Sequence, residues 1–402
     1  MVLIRLTSAS LPNSVSGWCS TGDFGLPRYW ATIWATILKA HLEESTRAKH
    51  LAGVEKFYQS VISQTGEDRL DAMIACFDFD GLEAALGGFL VSLRNSGRQT
   101  GADGEASWSS SRTFLHDVLM HLHPQAERST AELQARINRL TRLYKQITPS
   151  RPRPPAPIRA LPAIVVEDLY RLFDPNSKDN PFRTPAIRWR NFLLFLMLLH
   201  LGLRRGEAAI LRADAIKDDF EPETGEIKYW VNVDETEDEI DPRYTAPGLK
   251  TRHSRRQLPV SREIIKTTDE LVQNYRRGTR HGFLFGSQKK KPLALRQIHR
   301  VFETVTSHLS DQALRSLRNR GKDSVTAHDL RHTCAVYRLS RYLAQGNDLD
   351  QAVDKLRVFF GWSETSQMPR HYARAYFESA LADVWHDNYD TFVETLRNLE
   401  GK

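Results

Sequence analysis

Residues Ala327–Thr333 read AHDLRHT, placing His328 and His332 four apart with Arg331 between them. Three other stretches of the same half of the chain carry comparable chemistry. Upstream, Leu201–Leu211 (LGLRRGEAAIL) follows an apolar run, and Gly248–Val260 (GLKTRHSRRQLPV) adds a dense basic segment. Downstream, Phe360–Tyr372 (FGWSETSQMPRHY) ends on a tyrosine. Each fragment alone has an ordinary explanation. An arginine after a core helix is usually a surface cap, a Lys-Thr pair on a hairpin is usually solvated, and most tyrosines pack in cores. The four together, in this order, form a set that chance rarely assembles.

In that order they resemble the catalytic domain of tyrosine recombinases of the phage-integrase type. Box I of that family, TGLRxxEL, is matched by Gly202-Leu203-Arg204 with Glu207. A hairpin lysine in a KTxxSxRxxP context is matched by Lys250-Thr251, Ser254, Arg256 and Pro259. Box II, HDLRHTxA, is matched almost letter for letter by His328 to Ala335, and the terminal segment by Gly361-Trp362 and Tyr372. The resemblance spans about residues 160–385, with box II its most specific part.

The resemblance implies a site-specific recombinase that cuts and rejoins DNA through a 3′-phosphotyrosine intermediate, without a cofactor or metal. Breaking a phosphodiester this way needs a nucleophile, charge on the phosphorane oxygens and a proton for the leaving oxygen. Tyr372 is the implied nucleophile. Arg204 and Arg331 present planar forks suited to two non-bridging oxygens, and Lys250 is the implied general acid. His328 is expected to accept the tyrosine proton or hydrogen-bond the phosphate. Trp362 and His332 are expected as supporting donors, and Glu207 as the residue that holds the arginine.

Some alternatives stay open in the sequence. Tyr372 lies further from Arg331 than the family spacing implies, so Tyr376 competes as nucleophile. Arg204 directly follows Gly-Leu and is preferred over Arg205. His328 and His332 also have the spacing of a helical zinc pair, but Asp329 stands where a zinc hydrolase carries glutamate. A type IB topoisomerase or telomere resolvase shares the chemistry. A catalytically silent DNA-binding regulator is a further reading, against which the complete residue set argues. Among recombinases, chain length favours the integrase of a mobile element.

Around these motifs, the 402 residues divide at Thr148–Pro162 (TPSRPRPPAPIRALP), whose prolines favour extended backbone. The expected organisation is an N-terminal extension (1–24), a helical domain (25–147), this linker (148–162) and a catalytic domain with a C-terminal helix (163–402). The fold class is mainly α with a small β-sheet or hairpin. Helical spacing marks Trp30, Ile33, Trp34, Ile37 and Leu38, then Leu51, Val54, Phe57, Tyr58 and Val61. Segments 81–94 and 108–122 also look helical. Leu133, Ile137, Leu140 and Tyr144 follow a capping-box pattern from Ser129 to Glu132. By position and helical character this half resembles the family's SAM-like core-binding domain. Ile227–Val233 and Arg256–Val260 have strand composition and flank an acidic loop, Asp234–Pro247, expected to be a solvated connection.

Composition excludes other classes. Hydrophobic residues make up 41%, enough to form cores without staples. Cys19, Cys76 and Cys334 follow no metal or disulfide spacing, which fits a reducing cytosol. The longest apolar run, Asn191–Leu203, falls short of the roughly twenty residues a bilayer crossing needs. It reads as a buried helix, so no membrane partner and a cytoplasmic, nucleoid-associated location are expected. No phosphate-binding loop and no carboxylate cluster for two metals occurs.

A net charge of +7 weakly favours a polyanion. The expected partner is double-stranded DNA. The expected contacts are Arg94, Arg98 and Arg112 in the first domain, Arg252, Arg255 and Arg256 on the hairpin, and Lys289, Lys290 and Lys291. By the resemblance, a monomer or dimer occupies one site and four protomers synapse two, with DNA-bending proteins as accessory factors. The helix after Tyr372, carrying Phe377, Leu381, Val384 and Trp385, docks on a neighbour or packs within the chain.

Overall fold

The computed structural model describes residues 3–6, 17–22, 25–100, 104–122, part of 131–142, and 160–373 apart from 224, 236–240, 244–245, 250 and 251. Side chains of 97–100 and 252 also lie outside the described set. The chain divides into two compact units, 1–154 and 155–402. Both are mainly helical, and each carries a small antiparallel sheet.

The first unit opens with a hairpin, β1 (Leu3–Leu6) and β2 (Gly17–Ser20), in which Leu3 pairs with Ser20 and Leu6 with Gly17. Both strands lie in the stretch 1–24, set apart in the sequence as an extension without assigned structure, and four-residue strands are too short to show alternation. Helices follow: α1 (Tyr29–Ile33), which runs on as a π-turn over Trp34–Leu38, α2 (Glu44–Thr65), α3 (Leu70–Ala75), α4 (Phe79–Thr100) and α5 (Glu105–Leu122). Their apolar faces bury Trp34, Leu51, Val54, Phe57, Phe89 and Phe114 in one core. Trp34 donates its indole N–H to Asp117 at 2.8 Å, so the large ring is buried without losing a hydrogen bond.

A buried cation ties the entry of this unit together. Arg28 pairs with Glu55 at 3.1 Å and with Asp68, and its guanidinium lies 4.1 Å over the Tyr58 ring. The helix expected around Leu133, Ile137, Leu140 and Tyr144, with its Ser129 cap, falls on positions outside the described residues. The described positions between 131 and 142 are helical.

The second unit comprises α6 (Ala163–Phe173), α7 (Pro185–His200), α8 (Arg205–Ile210), the strands β3 (Ile216–Glu221), β4 (Glu226–Val233) and β5 (Arg256–Pro259), then α9 (Arg262–Glu270), α10 (Leu295–Thr306), α11 (Asp311–Asn319), α12 (Ala327–Ala344) and α13 (Leu349–Phe360). Residues 368–373 begin a further helix. The apolar run becomes α7, started by Thr184, whose side chain accepts from the Ile187 N–H at 3.4 Å, and by Pro185 at its first position. Leu193 to Leu198 are fully buried, so α7 is a central rod against which α6, α9 and α12 pack.

The sheet order is β3-β4-β5, all antiparallel, with Trp230 opposite Pro259 and Val233 opposite Arg256. Among the described residues of the acidic connection between β4 and β5, Asp241 and Arg243 are drawn out of solvent. Asp241 grips Arg243 bidentately, and Arg243 also donates to the carbonyls of Ala209 and Leu293, each at 2.9 Å. Asp234 pairs with Arg255 at 3.0 Å. The opposite charges missing from a local reading come from within the loop and from just beyond it. Among the described residues no helix is long and apolar enough to cross a membrane.

Candidate active site

The first turn of α12 is fixed by a reciprocal cap. Thr326 accepts from the Asp329 N–H at 3.3 Å, and Asp329 accepts from the Thr326 N–H at 2.8 Å. Lys322 also pairs with Asp329. With the helix start locked, the side chains take defined directions. Arg331 points into the core, while His328 and His332, one turn apart, share a face with ring centroids 4.1 Å apart.

Arg204 sits at the sharp turn between α7 and α8, as the N-cap of α8. The turn needs Gly202, whose φ is +57°, and a Cβ there would run into Phe360 and Cys334. Glu207, one turn into α8, accepts from the Arg204 N–H at 2.9 Å and from its Nη1 at 2.5 Å. The same carboxylate accepts from Arg256 Nη2 at 2.9 Å, and Arg331 Nη1 stands 3.8 Å away. Glu207 is only 1% exposed. Burial disfavours its charge, but Arg256, Arg331 and Arg204 outweigh that cost and hold its carboxyl below the usual range.

Three guanidiniums therefore share one buried carboxylate, leaving two positive charges in excess. Further donors of Arg331 and Arg204 are held by neighbours. Arg331 donates to the carbonyls of Gly202 and Phe360, the latter at 2.9 Å, and lies 4.7 Å over the Phe360 ring. Burial and then the Arg204 charge push the Arg331 guanidinium down to about 9, so it stays charged at neutral pH. Arg204 also donates to Ser254 Oγ at 3.0 Å and, at 24% side-chain exposure, is the most open of the three.

The wall opposite is aromatic. Gly361 ends α13 in the left-handed region, φ +60°, where a Cβ would meet the His253 carbonyl at 2.5 Å and Ser254 Cα at 3.0 Å. That close approach seats Trp362 between Phe360 (4.7 Å, 15°) and Tyr372 (5.4 Å, 16°) in a three-ring stack. Tyr372 is 0% exposed, and its hydroxyl lies 2.6 Å from His332 Nδ1. Burial, opposed by Arg331 and Arg204, pushes its phenol up to about 12.

The structure thus brings together Arg204, Glu207, Arg331, His332, Trp362 and Tyr372, with His328 exposed at the rim. Partial burial and the Arg331 charge hold His328 below its usual range. One sequence expectation is refined and one changes. The histidine hydrogen-bonded to the phenol is His332, which the sequence offered as a supporting donor, because the helix turns its Nδ1 toward the hydroxyl. Arg256, expected to contact DNA, has a side chain 5% exposed and binds Glu207 and the Phe359 and Ser254 carbonyls instead. Lys250, Tyr376 and the C-terminal segment with Phe377, Leu381, Val384 and Trp385 lie outside the described residues.

Among the other basic candidates, Arg94, Lys289 and Lys290 are exposed, Arg112 is half-buried, and Arg255 is engaged by Asp234. The side chains of Arg98 and Arg252 fall outside the described set. Lys289 and Lys291 line a cleft of about 930 Å³ together with Arg190, Arg296 and Arg300, three arginines not singled out in the sequence. Its signal was present: Arg296 and Arg300 stand four apart on the polar side of α10, opposite Ile298, Val301, Phe302 and Val305. Arg190 binds Asn191 and the Gly286 carbonyl but no carboxylate among the described residues, and burial pushes it down to about 10. No group of three or more His, Cys, Asp or Glu among the described residues could hold a metal ion.

Among solved structures, the chain is similar to XerA recombinase, at 17% identity over 84% of this chain and 98% of that one, TM-score 0.35. It is also similar to XerH site-specific recombinase bound to a palindromic difH substrate in a post-cleavage complex. There the identity is 15% over 89% of this chain and 84% of that one, TM-score 0.46. No curated protein sequence matches. Family membership rests instead on the sequence itself: residues 167–379, more than half of the chain, match the model of the phage integrase family, and the chain belongs to that family of tyrosine recombinases.

Proposed function

We propose that this protein is a site-specific recombinase, the integrase of a mobile element, which cleaves and rejoins double-stranded DNA through a 3′-phosphotyrosine bond at Tyr372. The observation that carries the reading is the excess positive charge around Glu207, held beside a stacked tyrosine. A scissile phosphate fits that surplus. Arg204 and Arg331 grip its non-bridging oxygens and stabilise the phosphorane. Lys250 protonates the leaving 5′-oxygen, His328 hydrogen-bonds the phosphate from the rim, and Trp362 holds the phenol by stacking. Glu207 keeps the mutually repelling arginines in place. The phosphotyrosyl ester conserves the energy of the broken bond, so rejoining needs no cofactor.

The N-terminal helical unit acts as the core-binding domain and the second unit as the catalytic domain. Exposed cations, Arg94, Lys289 and Lys290 among them, together with the Arg190–Arg300 cleft, bind DNA phosphates. Four protomers assemble for strand exchange. The test is covalent trapping on a nicked DNA duplex from the native locus. The wild-type chain should form a protein–DNA adduct that Tyr372→Phe abolishes and that Arg204→Ala and Arg331→Ala reduce severely. An adduct undiminished in Tyr372→Phe contradicts the assignment.

A further inference from the structure

Resting on that reading, we infer that His332 is a catalytic residue: its Nδ1 takes the proton of Tyr372 as the phenol oxygen attacks phosphorus. The geometry is direct. The hydroxyl lies 2.6 Å from Nδ1, and among the described residues no other side chain hydrogen-bonds it. The two histidines of box II divide their work by position. His328 is exposed, where a phosphate can reach it, whereas His332 is half-buried and faces the phenol.

The charged and titratable groups around the imidazole define its resting state. On its own helix they are His328, Asp329 and Arg331; from the preceding loop, Lys322; from residues 368–373, Tyr372. Burial and His328 lead, with Lys322 and Arg331 adding to them, and Asp329 alone favours the cation. Together they push the ring down to about 4. A neutral ring beside a neutral phenol accepts at Nδ1 and carries its own hydrogen on Nε2. A phosphodiester entering the site adds negative charge next to this ring and raises its proton affinity as the phenol oxygen gives up its own.

The step balances. The Tyr372 O–P bond forms and the P–O5′ bond breaks. The phenol proton moves to His332 Nδ1, while Lys250 supplies the proton that the 5′-oxygen takes. Rejoining runs the same transfers backwards.

The experiment is single-turnover cleavage of two nicked duplexes, one with an ordinary scissile phosphate and one with sulfur replacing the bridging 5′-oxygen. A thiolate leaves without a proton, so that substrate bypasses Lys250 but not deprotonation of the phenol. His332→Ala should slow cleavage of both by about 100-fold or more, the lower end for a lost general base. Its rate should climb about tenfold per pH unit between pH 7 and 9, because the phenol must ionise first, while the wild-type rate changes little. Lys250→Ala should be restored by the sulfur substrate. His332→Asn keeps a hydrogen-bond acceptor near Nδ1 and guards against a folding defect; it should remain slow with the same steep pH profile.

Cleavage within about threefold of wild type for His332→Ala overturns the inference. So does a slow variant whose pH profile parallels wild type, or full rescue by His332→Asn, since either marks a positioning role. A wild-type chain that forms no adduct overturns the recombinase reading beneath it.

Discussion

Arg256 Nη2 and Glu207 Oε2 stand 2.9 Å apart, joining the start of β5 to the first turn of α8 through a buried ion pair. Glu207 also binds Arg204 and lies near Arg331, so among the described residues it is the counter-charge that three cations share. Glu207→Gln should therefore destabilise the second unit by about 3 kcal/mol at pH 7, since uncompensated buried charge is costly. The carboxyl's depressed pKa sets the pH dependence. Its stabilisation is full above the ordinary glutamate range and is lost as pH falls through the lower folded value. Urea unfolding of both proteins should show the gap at neutral pH and a shrinking gap in acid.

Tyr372 predicts a signature at the other end of the scale. Its phenol is pushed up from 10 to about 12, so burial of the neutral form stabilises fully below pH 10 and is lost between pH 10 and 12. Ultraviolet titration of the wild type minus Tyr372→Phe should show one tyrosine ionising near pH 12. A difference spectrum appearing near pH 10 would mean the ring is not held as described.

Gly361 fixes the distance between the aromatic stack and the basic cluster. Gly361→Ala places a Cβ 2.5 Å from the His253 carbonyl in a left-handed conformation that alanine disfavours. A loss of about 1–3 kcal/mol is expected from the strain, with cleavage reduced further because Trp362 shifts. Thermal unfolding and trapping yield measure the two effects separately.

The cleft on α10 and the buried cluster predict opposite phenotypes for arginine substitutions. Arg296→Ala and Arg300→Ala should weaken DNA binding and flatten the salt dependence by about one unit of log–log slope each. Arg256→Ala should lower stability and cleavage while leaving that slope unchanged, because its side chain binds Glu207 rather than solvent. Binding isotherms across a salt series distinguish the two.

How much of this was legible in the sequence follows from how local each signal is. The α7 run and strands β4 and β5 carry their patterns within a few residues, and each takes the predicted form. β3 (IKDDFE) escaped because its exposed face carries charges that mask alternation. The role of Arg256 escaped for a different reason. In GLKTRHSRRQLPV it looks like its basic neighbours, and what buries it is a glutamate 49 positions earlier. The contact between His332 and the phenol likewise depends on where Tyr372 is carried by the turn at Gly361, which box II alone does not encode.

On the proposed function, Tyr372 becomes covalently joined to DNA at a phosphate held by Arg204 and Arg331. Peptide mapping of the adduct trapped on a nicked substrate tests it most directly. A DNA 3′-phosphate on the peptide bearing Tyr372, at that residue, is the expected result. An adduct on Tyr376, or on any other residue, would contradict it.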